Sequence, residues 1–264
     1  MKRPLTGGAG FGVLLGALLG ALIALVVFAP AAWLAAAVSS ATGERLQLSD
    51  ARGSVWQGSA VPVLTGGPGS RDASALPGRL HWALGLDGLA LAVRARHACC
   101  INGELQLRIE PGIGRMKITL PATPGAVGQW PAGWLAGLGT PFNTLQLGGS
   151  VSLSSSGLVA ESAQGRWQLT GAAALAMNDV SSRVSTLDTL GSYRLALTGA
   201  AATTQLVFGT LGGPLQISGN GQWTATGLRF RGEARAQPGS EAALNNLLNI
   251  IGRRQGTLAV ISIG

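Results

Sequence analysis

The stretch LQLRIEPGIGRMKITL, residues 105–120, contains the alternation that decides the fold. Its apolar side chains occupy every second position on both sides of a break at Pro111-Gly112: Leu105, Leu107, Ile109, Met116, Ile118 and Leu120. A two-residue period with one apolar and one polar face is typical of antiparallel strands that cover a core on one side. The stretch therefore predicts a β-hairpin.

The same period continues outward along the chain. It recurs over residues 145–153 and 228–235, and clusters of Gly, Pro, Ser and Asn separate the apolar runs. Such clusters are turn signals. We therefore predict an all-β domain, an antiparallel meander forming an elongated or curved sheet. Residues 129–143 break the alternation, which predicts a loop or short helix that crosses the sheet.

Tryptophan recurs beside glycine at several places. Residues 165–171 and 221–227 both have the form G-x-W-x-x-T-G, which suits a repeated strand pair. The alternative is that tryptophan packs on a sheet while glycine makes turns. In either case four tryptophans are predicted to be structural or interface aromatics: Trp56, Trp82, Trp167 and Trp223.

One short amphipathic helix is predicted near the C-terminus. In EAALNNLLNII, residues 241–251, an apolar stripe is spaced i, i+3, i+4, i+7. Ser240 is the predicted N-cap, and Gly252 is predicted to end the helix. Residues 258–263 form a final apolar strand, either an edge tucked into the protein or an interaction edge.

The N-terminal region is strongly apolar. Residues 11–38 carry no charge and follow Lys2 and Arg3. A bilayer core needs roughly 20 apolar helical residues, and basic residues stay on the cytoplasmic side. We predict a cytoplasmic N-terminus (1–10), a transmembrane anchor (11–38) and a periplasmic β-rich domain (39–264). A cleaved signal peptide is the alternative, but its apolar core is usually about 7 to 15 residues.

Glycines recur every four residues in this region, at Gly8, Gly12, Gly16 and Gly20. This spacing places them along one helix face, where the absence of side chains allows another helix to approach closely. We predict a helix-docking face. The alternative is that the pattern reflects a chain that is rich in glycine throughout.

Charge and cysteine content restrict the function. The net charge is +8, but the basic residues are scattered rather than clustered, so nucleic-acid binding is not expected. The adjacent Cys99 and Cys100 form a candidate vicinal disulfide in an oxidising compartment, or pair with another chain. Although His97 lies nearby, the spaced ligand pairs of a structural zinc site are absent, so no metal is predicted.

Catalytic signals are missing from the sequence. It has two histidines, His81 and His97, and none of the common nucleophile, metalloprotease, phosphate-loop or dinucleotide motifs. His81 falls on the polar side of a predicted strand, and no close carboxylate pair suggests acid–base chemistry. We expect no catalytic residues, no cofactor and no small-molecule substrate.

Two motifs carry a resemblance to a known family. ARGSVWQGSA, residues 51–60, and LNNLLNIIGRRQG, residues 244–256, resemble the N subunit family of the bacterial type II secretion system. The resemblance implies an accessory, single-pass inner-membrane subunit of a Gram-negative machine that exports folded proteins across the outer membrane. It implies no catalytic activity. Implied partners are other secretion subunits: the inner-membrane platform and the outer-membrane secretin.

A second hypothesis remains open from the sequence. An elongated β-sheet with an apolar groove would suit an envelope lipid-handling protein. A compact core without an accessible groove would count against it.

Overall fold

The computed structural model describes residues 8–201, 203–224 and 227–264, with side chains from Val13 onward. Lys2 and Arg3, on which the predicted orientation depends, lie outside these residues. The helices are α1 (Gly8–Val27), α2 (Ala31–Ala41), α3 (Phe142–Leu145) and α4 (Glu241–Ile251), with a 3-10 helix at Ala132–Leu138. The strands are β1 (Leu46–Gly53), β2 (Gln57–Thr65), β3 (Ala73–Ala75), β4 (Leu80–Asp87), β5 (Ala90–His97), β6 (Leu105–Gly112), β7 (Arg115–Pro131), β8 (Leu147–Ala163), β9 (Arg166–Ser182), β10 (Gly191–Ala201), β11 (Thr203–Gly212), β12 (Leu215–Thr224), β13 (Gly227–Ala236), β14 (Arg253–Gln255) and β15 (Leu258–Ile263).

The strands form one antiparallel sheet, which confirms the predicted all-β class. Within the described residues the sheet has 15 strands in the order β1-β2-β4-β5-β6-β7-β8-β9-β10-β11-β12-β13-β15-β14, with β3 paired to β2. Most neighbours are consecutive in the chain, as in a meander. The hairpin predicted from residues 105–120 is β6–β7, where Gly112 pairs with Arg115.

One face of the sheet is apolar along the middle strands. Leu153, Leu175, Leu195 and Phe208 lie directly opposite one another on β8, β9, β10 and β11. Because successive side chains of a strand point to opposite faces, the intervening residues line the other, more polar face. The alternation in the sequence therefore fixes which side of each strand can be buried.

Helix α4 covers one end of this apolar face. Leu244, Leu247 and Leu248 are at most 2% exposed, and they pack against a cluster that includes Tyr193 and Leu215. The Tyr193 hydroxyl donates a hydrogen bond of 3.0 Å to the Leu215 carbonyl oxygen. The helix and its stripe are as predicted.

The predicted side-chain cap of α4 is wrong. Ser240 occupies the N-cap position, but its side chain makes no capping hydrogen bond. Its backbone lies at φ −110° and ψ 5°, outside the extended conformation that directs an N-cap oxygen toward the first helical amides. Its carbonyl oxygen accepts a hydrogen bond from the Leu244 amide instead.

The apolar N-terminal region forms two helices where the sequence pattern predicts one segment over 11–38. Helix α1 ends at Val27 and α2 begins at Ala31, after Pro30. Proline has no amide hydrogen and clashes with the preceding helical turn, so it ends one helix and is tolerated at the start of the next. In the part of the chain that the structure describes, no helix is both long and apolar enough to span a membrane.

Helix α2 belongs to the domain. Its buried Ala31 and its partly buried Leu34 and Val38 pack against Leu48 and Trp82 of the sheet. Helix α2 therefore packs as part of the same hydrophobic cluster as the first strands of the sheet.

The predicted crossing segment contains a short helix. Strand β7 extends to Pro131, and the 3-10 helix follows it. The Trp134 indole nitrogen donates a hydrogen bond of 2.9 Å to the Ser74 carbonyl oxygen, which attaches this helix to β3. Trp130 remains within β7 and pairs with Val151 of β8.

Candidate functional site at the junction of helix and sheet

The turn between β1 and β2 contacts the break between α1 and α2. Ser54 forms an isolated antiparallel bridge with Pro30. The Val55 amide donates a hydrogen bond of 2.8 Å to the Ala29 carbonyl oxygen. The first of the two motifs that resemble the secretion family therefore lies where the N-terminal helix meets the sheet.

Hydrogen bonds from two tryptophans hold this turn. The indole nitrogen of the partly exposed Trp56 donates a hydrogen bond of 2.8 Å to the carbonyl oxygen of Val26, in the last turn of α1. The indole nitrogen of the buried Trp82, on β4, donates one of 3.1 Å to the Val55 carbonyl oxygen. The Leu84 amide bonds to the Trp56 carbonyl oxygen at 2.7 Å. Helix α1 is thus connected to the sheet through one loop.

The glycines of the motif are required by close approach. Gly53 has φ +90°, and a Cβ there would lie 2.5 Å from the Gln57 carbonyl oxygen. At Gly58 a Cβ would lie 2.4 Å from Cζ2 of Trp82. Neither position accommodates a side chain without displacing the turn, which gives the spacing R-G-x-x-W-x-G a physical reason.

An exposed ion-pair network borders the junction. Asp50 lies 2.8 Å from Arg52 and 2.7 Å from Arg79, while Arg79 also donates to the Asp50 carbonyl oxygen at 2.6 Å. Hydrogen bonds from Arg52 and then Arg79 lower the pKa of the Asp50 carboxyl. Exposed ion pairs contribute little to stability, so this network serves mainly to orient the end of β1.

Trp167 and Trp223 lie far from the junction. Each is 49% exposed, and together with Leu169, Ala201 and Thr204 they line an open depression of about 350 Å³. They are therefore not core residues. Trp167 follows its hairpin turn whereas Trp223 precedes its own, so the two G-x-W-x-x-T-G stretches occupy different positions in their strands.

The predicted docking glycines lie on α1. A Cβ built at Gly16 or Gly20 would meet no heavy atom within 4 Å, so this helix face is open. Gly8 and Gly12 belong to the same helix, but their surroundings lie outside the described side chains. The four glycines and the junction turn both involve α1, but the turn contacts the end of the helix, at Val26.

The adjacent cysteines form a disulfide beside a buried histidine. Cys99 is bonded to Cys100, and the Cys99 amide donates a hydrogen bond of 3.3 Å to Nδ1 of His97. His97 is 4% exposed, and its Nε2 has no hydrogen-bond partner among the described residues. Burial and then the nearby His81 lower the pKa of His97. This burial was not predicted, although His97 lies on the same face of β5 as the buried Ala95 while Arg96 between them is exposed.

Comparison with known proteins identifies a family. The model of the family described as type II secretion system (T2SS), protein N, matches residues 44–260. That range includes both the junction turn and the α4 motif. No curated protein and no solved structure matches the chain.

Proposed function

Because the chain belongs to the type II secretion system protein N family, we propose that it is an inner-membrane subunit whose sheet acts as an adaptor in the periplasm. Family membership makes it an accessory component of the secretion machinery and places it in the cell envelope, in contact with other components of that system. Its family is a structural one rather than a known enzyme family. The anchor, its orientation and the docking surfaces belong to the proposal.

Helix α1 supports the membrane anchor. Its large apolar side chains are mostly exposed, with Leu14 at 65%, Leu18 at 68% and Leu22 at 57%. Although the described part of the helix is not by itself long and apolar enough to span a membrane, apolar side chains exposed on this scale favour a nonaqueous environment. The bilayer supplies one, and Lys2 and Arg3 in front of the helix favour a cytoplasmic N-terminus. Helix α2 and the sheet would then lie on the periplasmic side.

The observation that carries the proposal is the hydrogen bond from Trp56 to Val26. It attaches the end of the proposed anchor to the sheet within a family motif. An adaptor needs such a connection, because a sheet on a freely rotating tether would not present one face to a partner. The motif therefore has an architectural role, with no catalytic group at its centre.

The face formed by Gly8, Gly12, Gly16 and Gly20 is the proposed contact with a neighbouring transmembrane helix of the inner-membrane platform. The open surroundings of Gly16 and Gly20 leave room for a close helix–helix approach. The sheet is the proposed contact with periplasmic parts of the machinery, with the outer-membrane secretin as the most distant candidate partner.

Crosslinking tests this proposal. Membranes that contain a tagged chain are treated with a short crosslinker, and proteins that copurify with it are identified by mass spectrometry. We expect other type II secretion subunits, and recovery of none of them would refute the proposal. The double variant Gly12→Leu/Gly16→Leu should reduce recovery of helix partners without loss of membrane insertion.

Ala17→Leu/Ala21→Leu is the matched control. It adds nearly the same bulk about 140° around the helix from Gly12 and Gly16, since an α-helix has 3.6 residues per turn. Recovery should match that of the unaltered chain. If both double variants reduced recovery equally, the glycine face would have no special role.

Lipid handling is the second candidate function. The open apolar end of the sheet near Trp167 and Trp223 favours it. Helix α4 and the core beneath it do not cover this end of the sheet. An accessible apolar depression is therefore present, and its absence is what would have counted against lipid handling. Native mass spectrometry of the purified chain should then detect a bound phospholipid that is lost in Trp167→Ser/Trp223→Ser. A lipid-free spectrum would remove this candidate.

A further inference from the structure

The arginines of the C-terminal strands gather on one face of the sheet, opposite the face that α4 covers. Directly paired residues of antiparallel strands point to the same side. Arg231 on β13 pairs with Asn220 on β12 and with Ser262 on β15, and Arg229 and Arg235 share its face because they lie an even number of residues away. The same register adds one arginine each from β10 and β14. We call this surface of β10–β15 the arginine face, and its charged side chains within the described residues are Arg194, Arg229, Arg231, Glu233, Arg235 and Arg253.

The arginine face carries an excess of positive charge. All six of its charged side chains are exposed. Five positive charges and one negative charge leave +4, which is half of the net charge of +8 of the whole chain. These arginines are scattered along the sequence, and strand pairing brings them onto one surface.

The charges of the arginine face have no counterparts within the described residues. The ion pairs found there all lie between residues 50 and 117, such as those of Asp50 with Arg79 and of Glu104 with Arg96. Several arginines of the N-terminal half are therefore paired with carboxylates, whereas those of the arginine face are not. Like charges held close together repel one another, so a negatively charged partner would bind this face favourably.

A depression lies within the arginine face. It has a volume of about 610 Å³, and its lining includes Arg229, Arg231, Gln205, Asn220 and Gln222. No carboxylate side chain of the described residues lines it. The two arginines occupy alternate positions of β13, so their Cα atoms are about 7 Å apart. The depression therefore offers two neighbouring guanidinium groups and several amide groups to a ligand.

We propose that the arginine face binds an acidic segment of a partner protein, with carboxylates of the segment on Arg229 and Arg231. A guanidinium group holds a carboxylate through two parallel hydrogen bonds. Alternate side chains of an extended segment have the same spacing as the two arginines. The neighbouring amide side chains can both donate to and accept from its polar groups. This inference rests on the proposed adaptor function and names the face and the chemistry of its periplasmic contact.

A protein partner fits the arginine face better than other polyanions do. A bilayer of anionic lipids presents uniform negative charge, which Glu233 at the middle of the face would repel, whereas a protein can place a donor opposite this residue. Single-stranded nucleic acid stacks its bases on aromatic side chains. Within the described residues, the aromatic side chains of these strands all lie on the opposite face: Tyr193, Phe208, Trp223 and Phe230.

Fluorescence anisotropy tests the arginine face on the full chain in a nonionic detergent. The probe is a fluorescein-labelled peptide in which aspartate alternates with serine, and the control peptide has asparagine in place of aspartate. We expect the acidic peptide to bind and the neutral peptide not to bind. The affinity should fall as salt is added, because salt screens exposed charges. Failure of the acidic peptide to bind at low salt, or equal binding of both peptides, would overturn the proposal.

Variants locate the binding surface. Arg229→Gln/Arg231→Gln should lower the affinity for the acidic peptide by about 10-fold, and Arg231→Gln alone by about 3-fold, because exposed charged contacts are lost. Arg115→Gln/Arg166→Gln is the matched control, since it removes two exposed arginines on β7 and β9, outside the arginine face. It should bind as the wild type does. Equal loss in both double variants would show that net charge alone attracts the peptide and would overturn the proposal.

Vesicles distinguish a protein partner from a lipid surface. The full chain in phosphatidylcholine nanodiscs is mixed with sucrose-loaded vesicles of phosphatidylglycerol and phosphatidylcholine, which are then sedimented. We expect no cosedimentation. Cosedimentation that is lost in Arg229→Gln/Arg231→Gln would assign the face to lipid headgroups and overturn the proposal.

Failure of this inference is distinguishable from failure of the adaptor function. If crosslinking in membranes recovers secretion subunits but the acidic peptide does not bind, the adaptor function stands and the arginine face is not its contact. If the peptide binds in the expected way but no secretion subunit is recovered, the face binds acidic segments and the adaptor function is refuted.

Discussion

The indole nitrogen of Trp56 donates a hydrogen bond of 2.8 Å to the carbonyl oxygen of Val26. The last carbonyl groups of a helix have no partner within the helix. Trp56 supplies one from 30 residues further along the chain. The end of α1 is therefore fixed by a side chain of the sheet domain in addition to a local bond of 3.4 Å from the Ala29 amide to the same oxygen.

Trp56→Phe should loosen this junction. The substitution keeps the ring but removes the donor, at a cost of about 1 kcal/mol for a hydrogen bond of this kind. The neighbouring bond from the Val55 amide to Ala29 should open more often, so its amide should exchange faster with deuterium. Trp167→Phe is the control and should leave that amide unchanged. Equal exchange rates in all three proteins would contradict a coupling role for Trp56.

Gly58→Ala should destabilise the domain. The added methyl group would lie 2.4 Å from the Trp82 ring and 2.7 Å from the Arg52 carbonyl oxygen. Overpacking of this kind costs about 1 to 3 kcal/mol. Chemical unfolding followed by tryptophan fluorescence measures the loss. Gly209→Ala, where a Cβ meets nothing within 4 Å, is the matched control. A similar effect at both glycines would indicate that close packing is not the cause.

Leu247→Ala should cost about 2 to 5 kcal/mol in the free energy of unfolding, because it removes a fully buried side chain and leaves a cavity. Trp223→Ala truncates a larger residue that is 49% exposed, and it should cost clearly less. The unfolding midpoints of the two variants test the contrast. If the tryptophan variant were the less stable one, the apolar end of the sheet would be covered in solution.

Tyr193 should make stability fall at alkaline pH. Burial raises the pKa of its hydroxyl above the ordinary value near 10. Below that value the folded and unfolded chains are both protonated, so stability is at its full level. Above it the unfolded chain binds fewer protons, so stability falls by up to about 1.4 kcal/mol per pH unit.

The measurement is direct because Tyr193 is the single tyrosine of the sequence. Tyrosinate absorbance should therefore appear together with unfolding and not before it. In Tyr193→Phe this part of the pH dependence should disappear. Ionisation near pH 10 in the folded protein would show that the hydroxyl is not buried.

Much of the architecture is predictable from local patterns. The alternation in residues 105–120 predicted the β6–β7 hairpin, and the stripe in residues 241–251 predicted α4. Both succeed because the period of apolar residues follows directly from strand or helix geometry. Residues 11–38 were predicted as one segment, but they divide at Pro30. The prediction relied on the apolar character of the whole region and did not take into account that proline cannot continue a helix.

The roles of individual residues were less predictable. Trp56, Trp82, Trp167 and Trp223 share similar sequence surroundings, yet two of them hold the junction turn and two are half exposed at the open end. A tryptophan beside a glycine is compatible with either position. The difference depends on which strands lie alongside and on where α4 ends.

The sequence by itself determined the strand period, the apolar N-terminal region and the two motifs that resemble the family. These depend on residues close together in the chain, where backbone geometry imposes its own spacing. Only the tertiary structure decided that Trp56 bonds to Val26 and that His97 is buried without a partner for Nε2. Such contacts join distant residues, and the three-dimensional packing of whole strands sets them.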